Sequence, residues 1–403
     1  MKEKGLNMAS IKQSNRRNIL KVLNNNGPLS RKDIAELVEL TPAAVTILVN
    51  DMIEEGLIKE VGQLVDNDSR VGRKKILVDL EYNFKKVIGI IIGPDNTGIG
   101  IANLKGDIIC EQELKTQPSL PATDFLKMVA EECVQILWKN NIMKGDILGV
   151  GVGIIGPVEP KKGISKEVYG LWSNPVPVKD ILEENLELPV VLDNNVRCLA
   201  RAELNFSAGI SNGNILFIKN GPGIGATVLL NKEVYYGTHN IAAEIGHIIV
   251  KKNGNLCRCN QRGCLEAEAS SEAIINQAKK ALAAGETPAL AQLCAKDQDG
   301  ITLNKVFTVL EKDDVVAKII NQAVYYLAIG IFNAFQMYDP GLVILYGPIF
   351  SYQIFNQLLL REINQLNPCK NYHRFIKFSK LSSKKEYVGG ISLAISHFYH
   401  NLR

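Results

Sequence analysis

Four residues of the 403-residue chain, His247, Cys257, Cys259 and Cys264, have the types and spacing of metal ligands. Cys-x-Cys followed by a third cysteine after four further residues makes a tight knuckle. Three thiolates and one imidazole complete a tetrahedral zinc set with no position left for water, so such a metal would be structural. Free thiols are the other reading, as they are for Cys110, Cys133, Cys198, Cys294 and Cys369, which sit in apolar surroundings and read as core. Polar residues gather around the knuckle in sequence: Glu244 precedes His247 by three, Glu266 follows Cys264 by two, and Asn194 and Asn195 follow an apolar run, Val190 to Leu192. Carboxylates and amides converging in a cleft suit a polyhydroxylated sugar, because each hydroxyl both donates and accepts. Taken alone, Glu244 or Glu266 reads better as a surface carboxylate.

A second chemistry lies near the start. Thr41 as N-cap and Pro42 at the first helical position open a helix whose Val45, Leu48, Val49, Met52 and Ile53 form one apolar stripe. Its outward residues, Ala43, Ala44, Thr46, Ile47 and Asn50, are small or hydrogen-bonding, which lets a helix approach base edges in the major groove. Further on, Arg70, Arg73, Lys74 and Lys75 place cations where DNA backbone or minor groove would meet them, with Gly72 among them. Asp66 and Asp68 share that loop, and residues 1–80 hold 13 Lys and Arg against 11 Asp and Glu. One copy should then bind DNA weakly, which argues for a dimer. A protein-binding winged helix is the alternative.

The elements needed to hold these groups follow from the pattern. Ile11 to Leu23 reads as a helix ended by Asn24 to Pro28, Ser30 caps a second helix over Arg31 to Val38, and Thr41 opens the third. Leu57 to Val61 and Ile76 to Leu80 read as strands, which makes residues 1–80 a winged helix-turn-helix. From 81 to 403 the chain alternates Gly-rich strands with helices. Two stretches look alike: Ile88 to Ile109, with Gly93-Pro94, and Ile215 to Tyr236, with Gly221-Pro222. An internal duplication into two lobes, about 86–200 and 201–403, is the economical reading.

Composition bounds the rest. With 46% hydrophobic and 22% charged residues and a net charge of +4, the chain is an ordinary globular protein, neither fibrous nor a general polyanion binder. Apolar runs such as Ile147 to Ile155 fall short of the ~18 residues of a membrane span, so a cytoplasmic protein without a membrane role is expected.

Glu244-Ile245-Gly246-His247, the run from Cys257 to Glu266, and Leu188 to Glu203 together resemble the ROK family of bacterial sugar kinases and sugar-responsive repressors. With its N-terminal winged helix, the chain is similar to the repressor branch, which includes xylose and N-acetylglucosamine repressors. The resemblance implies an α/β, actin-like fold of two ribonuclease H-like lobes behind a DNA-binding domain. It implies operator DNA, a monosaccharide or small oligosaccharide effector, and a homodimer or dimer of dimers. Kinases of the family carry an aspartate general base at the position of Asn195, where an amide cannot take a proton. Their Asp-x-Gly phosphate loop reads Ile91-Ile92-Gly93, their second loop reads Gly221-Pro222-Gly223 where threonine is usual, and Tyr346 stands at a glycine of the adenosine site. No ATP is therefore expected. Asn260 replaces a knuckle glycine, Tyr169-Gly170-Leu171 lacks a family asparagine before Trp172, and Ile47 stands where relatives often carry arginine. The resulting expectation is a repressor of carbohydrate genes. A sugar kinase, or a repressor governed by a protein partner, is the alternative.

Overall fold

The computed structural model describes residues 8–64, 75–168, 170–207, 213–295, 300–366, 371–383 and 385–399. Arg70, Arg73 and Lys74, together with Tyr169 and Cys369, lie outside these. The chain divides into two compact units, Met1–Asn195 with Glu386–Arg403, and Val196–Lys385.

Unit 1 begins with helices α1 (Met8–Asn26), α2 (Arg31–Leu37) and α3 (Pro42–Glu54), with β1 (Leu29–Ser30) ahead of α2. Side-chain oxygens start the two short helices: Ser30 Oγ accepts from Asp33 N–H and Thr41 Oγ1 from Ala44 N–H, each at 3.2 Å. Val45, Leu48, Val49 and Met52 bury the inner stripe of α3. Strands β2 (Ile58–Leu64) and β3 (Lys75–Leu80) pair antiparallel, and β1 completes a three-stranded sheet in the order β1-β3-β2.

The rest of unit 1 is a five-stranded sheet. Its strands are β4 (Lys86–Ile92), β5 (Asn96–Asn103), β6 (Ile108–Lys115), β7 (Ile147–Ile154) and, beyond the small pair β8 (Val158–Glu159) and β9 (Ile164–Ser165), β10 (Val190–Asn194). The order is β10-β7-β4-β5-β6, with β10, β7 and β4 parallel and β5 and β6 antiparallel. Helices α4 (Ala122–Lys139) and α5 (Val178–Leu186) supply Phe125, Val129, Cys133 and Leu182 to its core.

Unit 2 opens within α6 (Asn195–Phe206), one residue past its start, and repeats the plan with β11 (Ile215–Asn220), β12 (Ile224–Leu230), β13 (Glu233–Val234), β14 (Leu342–Tyr346) and β15 (Ile376–Phe378). The order β13-β12-β11-β14-β15 has the same sequence of parallel and antiparallel neighbours as the first sheet. The alikeness of the two Gly-Pro hairpins thus extends to whole sheets, as a duplication requires. Helices α7 (Leu265–Ala269), α8 (Ser271–Ala283), α9 (Pro288–Ala295), α10 (Leu303–Thr308), α11 (Asp314–Tyr338) and α12 (Gln353–Leu366) complete the unit. By length and composition α11 could cross a membrane, a feature the sequence reading did not anticipate, but half of its most apolar window is buried inside the protein. Ile320, Val324, Leu327 and Ile331 belong to the unit's core, which accounts for the apolarity.

The last helix, α13 (Tyr387–Ala394), is buried on every side and packs in unit 1 on β4 and β7. Residues 386–403, assigned from sequence to the second lobe, therefore belong with the first. Glycines make this possible: a Cβ on Gly89 would strike the backbone at Ile391, one on Gly151 the carbonyl of Gly390, and one on Gly100 the Tyr387 ring. Overpacking a dense core costs about 1–3 kcal/mol. Gly151→Ala is accordingly expected to lower the thermal midpoint. Gly145→Ala, where an added Cβ meets nothing within 4 Å, should leave it unchanged in the same measurement.

Candidate functional site

The four candidate metal ligands of unit 2, His247, Cys257, Cys259 and Cys264, come from two loops. His247 closes a short 3-10 helix, Ile245–His247, while Cys264 caps α7. Between Cys257 and Cys264 the backbone folds back on itself, with Cys257 N–H donating to Gln261 O at 2.8 Å and Asn260 N–H to Cys257 O at 2.9 Å. Asn260 adopts φ 66°, a left-handed conformation that asparagine tolerates better than most side chains. The turn therefore survives replacement of the glycine. The four ligand atoms lie within 4.8 Å of one another. Cys257 Sγ is 3.6 Å from His247 Nδ1, and Cys259 Sγ is 3.6 Å from Cys264 Sγ. Metal–sulfur bonds of about 2.3 Å in a tetrahedron give sulfur separations near 3.8 Å, so one ion fits the set.

Two carboxylates border the cluster. Burial pushes the Glu244 carboxyl above the usual carboxylate range, against the opposing pull of His247, Arg197 and Arg258. A cavity of about 380 Å³ opens beside Glu244, and Asn333, Gln336 and Tyr338 of α11 help to line it. Glu266 is buried, and its Oε2 accepts from Ile224 N–H at 2.9 Å and from the Arg258 guanidinium. Through these bonds Glu266 ties the knuckle to the Gly221-Pro222-Gly223 turn, where a side chain at Gly223 would strike both Arg258 and Glu266. In the same unit, Arg197 donates to Asn240 O at 3.1 Å and lies over the Tyr236 ring, which supports the loop leading to Glu244.

Asn194 and Asn195 lie in unit 1, at the end of β10 and the start of α6. Asn194 donates through Nδ2 to Gly156 O at 3.0 Å, and Asn195 is buried. Each of the two Gly-Pro hairpin turns is closed by a bond from the N–H of its first glycine, over three residues in the first and two in the second. Gly93 N–H donates to Asn96 O at 3.0 Å, Gly221 N–H donates to Gly223 O at 2.9 Å, and Pro94 and Pro222 have no N–H. Ile91 is buried in β4, and the Tyr346 ring, also buried, lies 5.7 Å from Phe217.

In the winged helix, Thr41, Pro42, Ala43, Thr46, Ile47 and Asn50 are exposed. Thr46 Oγ1 donates to Pro42 O at 2.7 Å, so its hydroxyl proton is spent on the helix and only its acceptor capacity remains. Of the four cations Arg70, Arg73, Lys74 and Lys75, only Lys75 falls among the described residues, and it lies 4.0 Å from Asp33. Of the other cysteines, Cys133 and Cys198 are buried and Cys110 and Cys294 half-buried.

Arg31, Arg258, Asn333 and Gln336 escaped the sequence reading. Only Arg258, lying between Cys257 and Cys259, had a local signal; the others depend on which helix faces which neighbour.

Residues 87–397 match the ROK family model, and residues 13–59 match a winged helix-turn-helix DNA-binding model. The chain is 29% identical over 396 residues to a putative xylose repressor of Caldicellulosiruptor sp. strain Rt8B.4, covering 97% of each. It is 27% identical over 355 residues to the DNA-binding transcriptional dual regulator NagC of Escherichia coli K12, covering 85% of this chain and 82% of NagC. Among solved structures, a ROK family transcriptional regulator described as a homologue of the E. coli MLC protein superposes with a TM-score of 0.80. That match has 23% identity and covers 97% of this chain and 98% of the other. With its two duplicated sheets, its Cys and His knuckle and a family match across most of its length, the chain belongs to the ROK family.

Proposed function

We propose that the chain is a sequence-specific DNA-binding repressor of carbohydrate-utilisation genes, governed by a sugar held in its ROK domain. The observation that carries this reading is the outer face of α3, where Ala43, Thr46, Ile47 and Asn50 stand exposed on a helix capped by Thr41. Such a face can reach base edges. Two copies would read a palindromic operator, with Lys75 and the cations Arg70, Arg73 and Lys74 serving the backbone or minor groove. Glu244, His247 and Glu266, with Asn194 and Asn195, are the residues proposed for the sugar. Relatives named as xylose repressors put xylose first among candidate effectors.

Phosphoryl transfer is not part of the proposal. Asn195 offers no base, Ile91 no carboxylate for a metal-bound phosphate, and the Gly-Pro turns have few backbone N–H groups left for a phosphate. Zinc is proposed as the ion in the knuckle, with His247, Cys257, Cys259 and Cys264 as ligands. Its role is to hold the loop that carries Glu266.

Selection from a random duplex pool tests the reading: the full chain should return a consensus, and a chain lacking residues 1–80 should bind none of it. If the truncated chain still bound that consensus, the assignment to α3 would fail. A titration of the protein–duplex complex with xylose, glucose and N-acetylglucosamine then identifies the effector. Glu244→Gln should bind the duplex as before yet need about ten- to a hundredfold more sugar for the same response, the worth of a charge-assisted hydrogen bond. Radiolabelled ATP should transfer no phosphate to any of the three sugars. Metal analysis of the purified chain should give one zinc per chain, and Cys257→Ala with Cys259→Ala should lose it.

A further inference from the structure

One hydrogen bond in the winged helix touches the residue best placed to read a base, and it comes from a neighbouring helix. Ser30 ends β1 and caps α2, its hydroxyl donating to Asp33 Oδ2 at 2.8 Å while accepting from Asp33 N–H. Arg31 follows at the first position of α2, so its backbone is held by the β1 and β3 pairing on one side and by the cap on the other. Its Nη2 donates to Asn50 Oδ1 at 3.1 Å and to Glu60 Oε1 at 3.0 Å. One guanidinium thus joins the start of α2, the exposed face of α3 and β2 of the wing.

The chemistry sets the orientation of the Asn50 amide. Arginine has donors only, so the amide atom facing it must be the oxygen. The NH2 group is then the edge turned away from Arg31, and it is a donor. Glu60 balances the charge of Arg31, which keeps that cation from acting as a free phosphate clamp. We propose that Arg31 is the positioning residue of the recognition helix, fixing the Asn50 amide so that its NH2 group meets an acceptor on a major-groove base edge. Guanine O6 and N7, adenine N7 and thymine O4 are such acceptors. The inference rests on the DNA-binding reading above and adds to it the residue that sets base preference.

The test uses the full chain and the consensus duplex that it selects, with affinity measured by fluorescence anisotropy at one salt concentration across a scan of single base-pair changes. Asn50→Ala should abolish discrimination at one base pair, a loss of about tenfold. Arg31→Met keeps the apolar stem and removes the donors; it should abolish discrimination at that same base pair, and the double variant should lose no more. Arg31→Lys should restore part of it, and this variant also serves if Arg31→Met does not fold. Glu60→Gln should strengthen binding to every duplex without moving the preference. The proposal is overturned if Arg31→Met weakens all duplexes by one common factor, because Arg31 would then be a phosphate contact. It is overturned equally if the scan of Asn50→Ala matches that of the unaltered chain. Failure of the unaltered chain to select any consensus would instead remove the DNA-binding reading on which it stands.

Discussion

The approach of α13 to the first sheet is the constraint on which unit 1 depends. Backbone can meet backbone there only because Gly89 and Gly151 carry no side chain, with Gly390 answering from the helix. Beyond α13 a short π-helical turn, Ile395–Tyr399, carries the chain to the winged helix. Tyr399 is fully buried, and its hydroxyl donates to Leu57 O at 3.2 Å, at the junction of α3 and β2. Burial pushes this phenol well above its ordinary range, so it keeps its proton and remains a donor. Glycine spacing in two strands thereby bears on what the junction of α3 and β2 leans on.

A different economy holds unit 2 together. The knuckle is short, and buried polar bonds tie it to the rest of the unit, beside the ion proposed for its four ligands. Glu266 supplies these bonds. With one oxygen taken by Ile224 N–H and Arg258, it binds the loop to the start of β12. A carboxylate so occupied offers a ligand its remaining acceptor capacity only, whereas Glu244 borders an open cavity, which favours Glu244 in the sugar site proposed above.

Local signals in the sequence were legible wherever one residue acts on its own neighbours. Ser30, Thr41 and Pro42 announced α2 and α3 because a cap needs only the next turn. The knuckle was legible because its three cysteines fall within eight residues, and the duplication because Gly-Pro recurs at matching points. The placement of residues 386–403 was not legible. Nothing within Tyr387–Ala394 says which sheet its apolar surface will meet, and the complementary glycines lie more than 200 residues earlier. Arg31 was hidden for the same reason: its partners Asn50 and Glu60 lie 19 and 29 residues away, on two other elements.

The departures from the kinase pattern form a chemically consistent set on the reading proposed here. An enzyme must bind the transition state more tightly than the substrate, and a phosphoryl-transfer enzyme does so with a base, a metal-binding acid and phosphate-cradling N–H groups. Asn195, Ile91, Pro94 and Pro222 remove members of each class. The groups suited to a sugar in its ground state, Glu244 and His247, remain. Ligand binding energy is then no longer directed toward a reaction. It is available to favour one conformation of the protein over another, to the extent that the ligand binds the two with different affinities. Asparagine suits position 195 under that constraint, since its amide still donates and accepts hydrogen bonds while taking no proton.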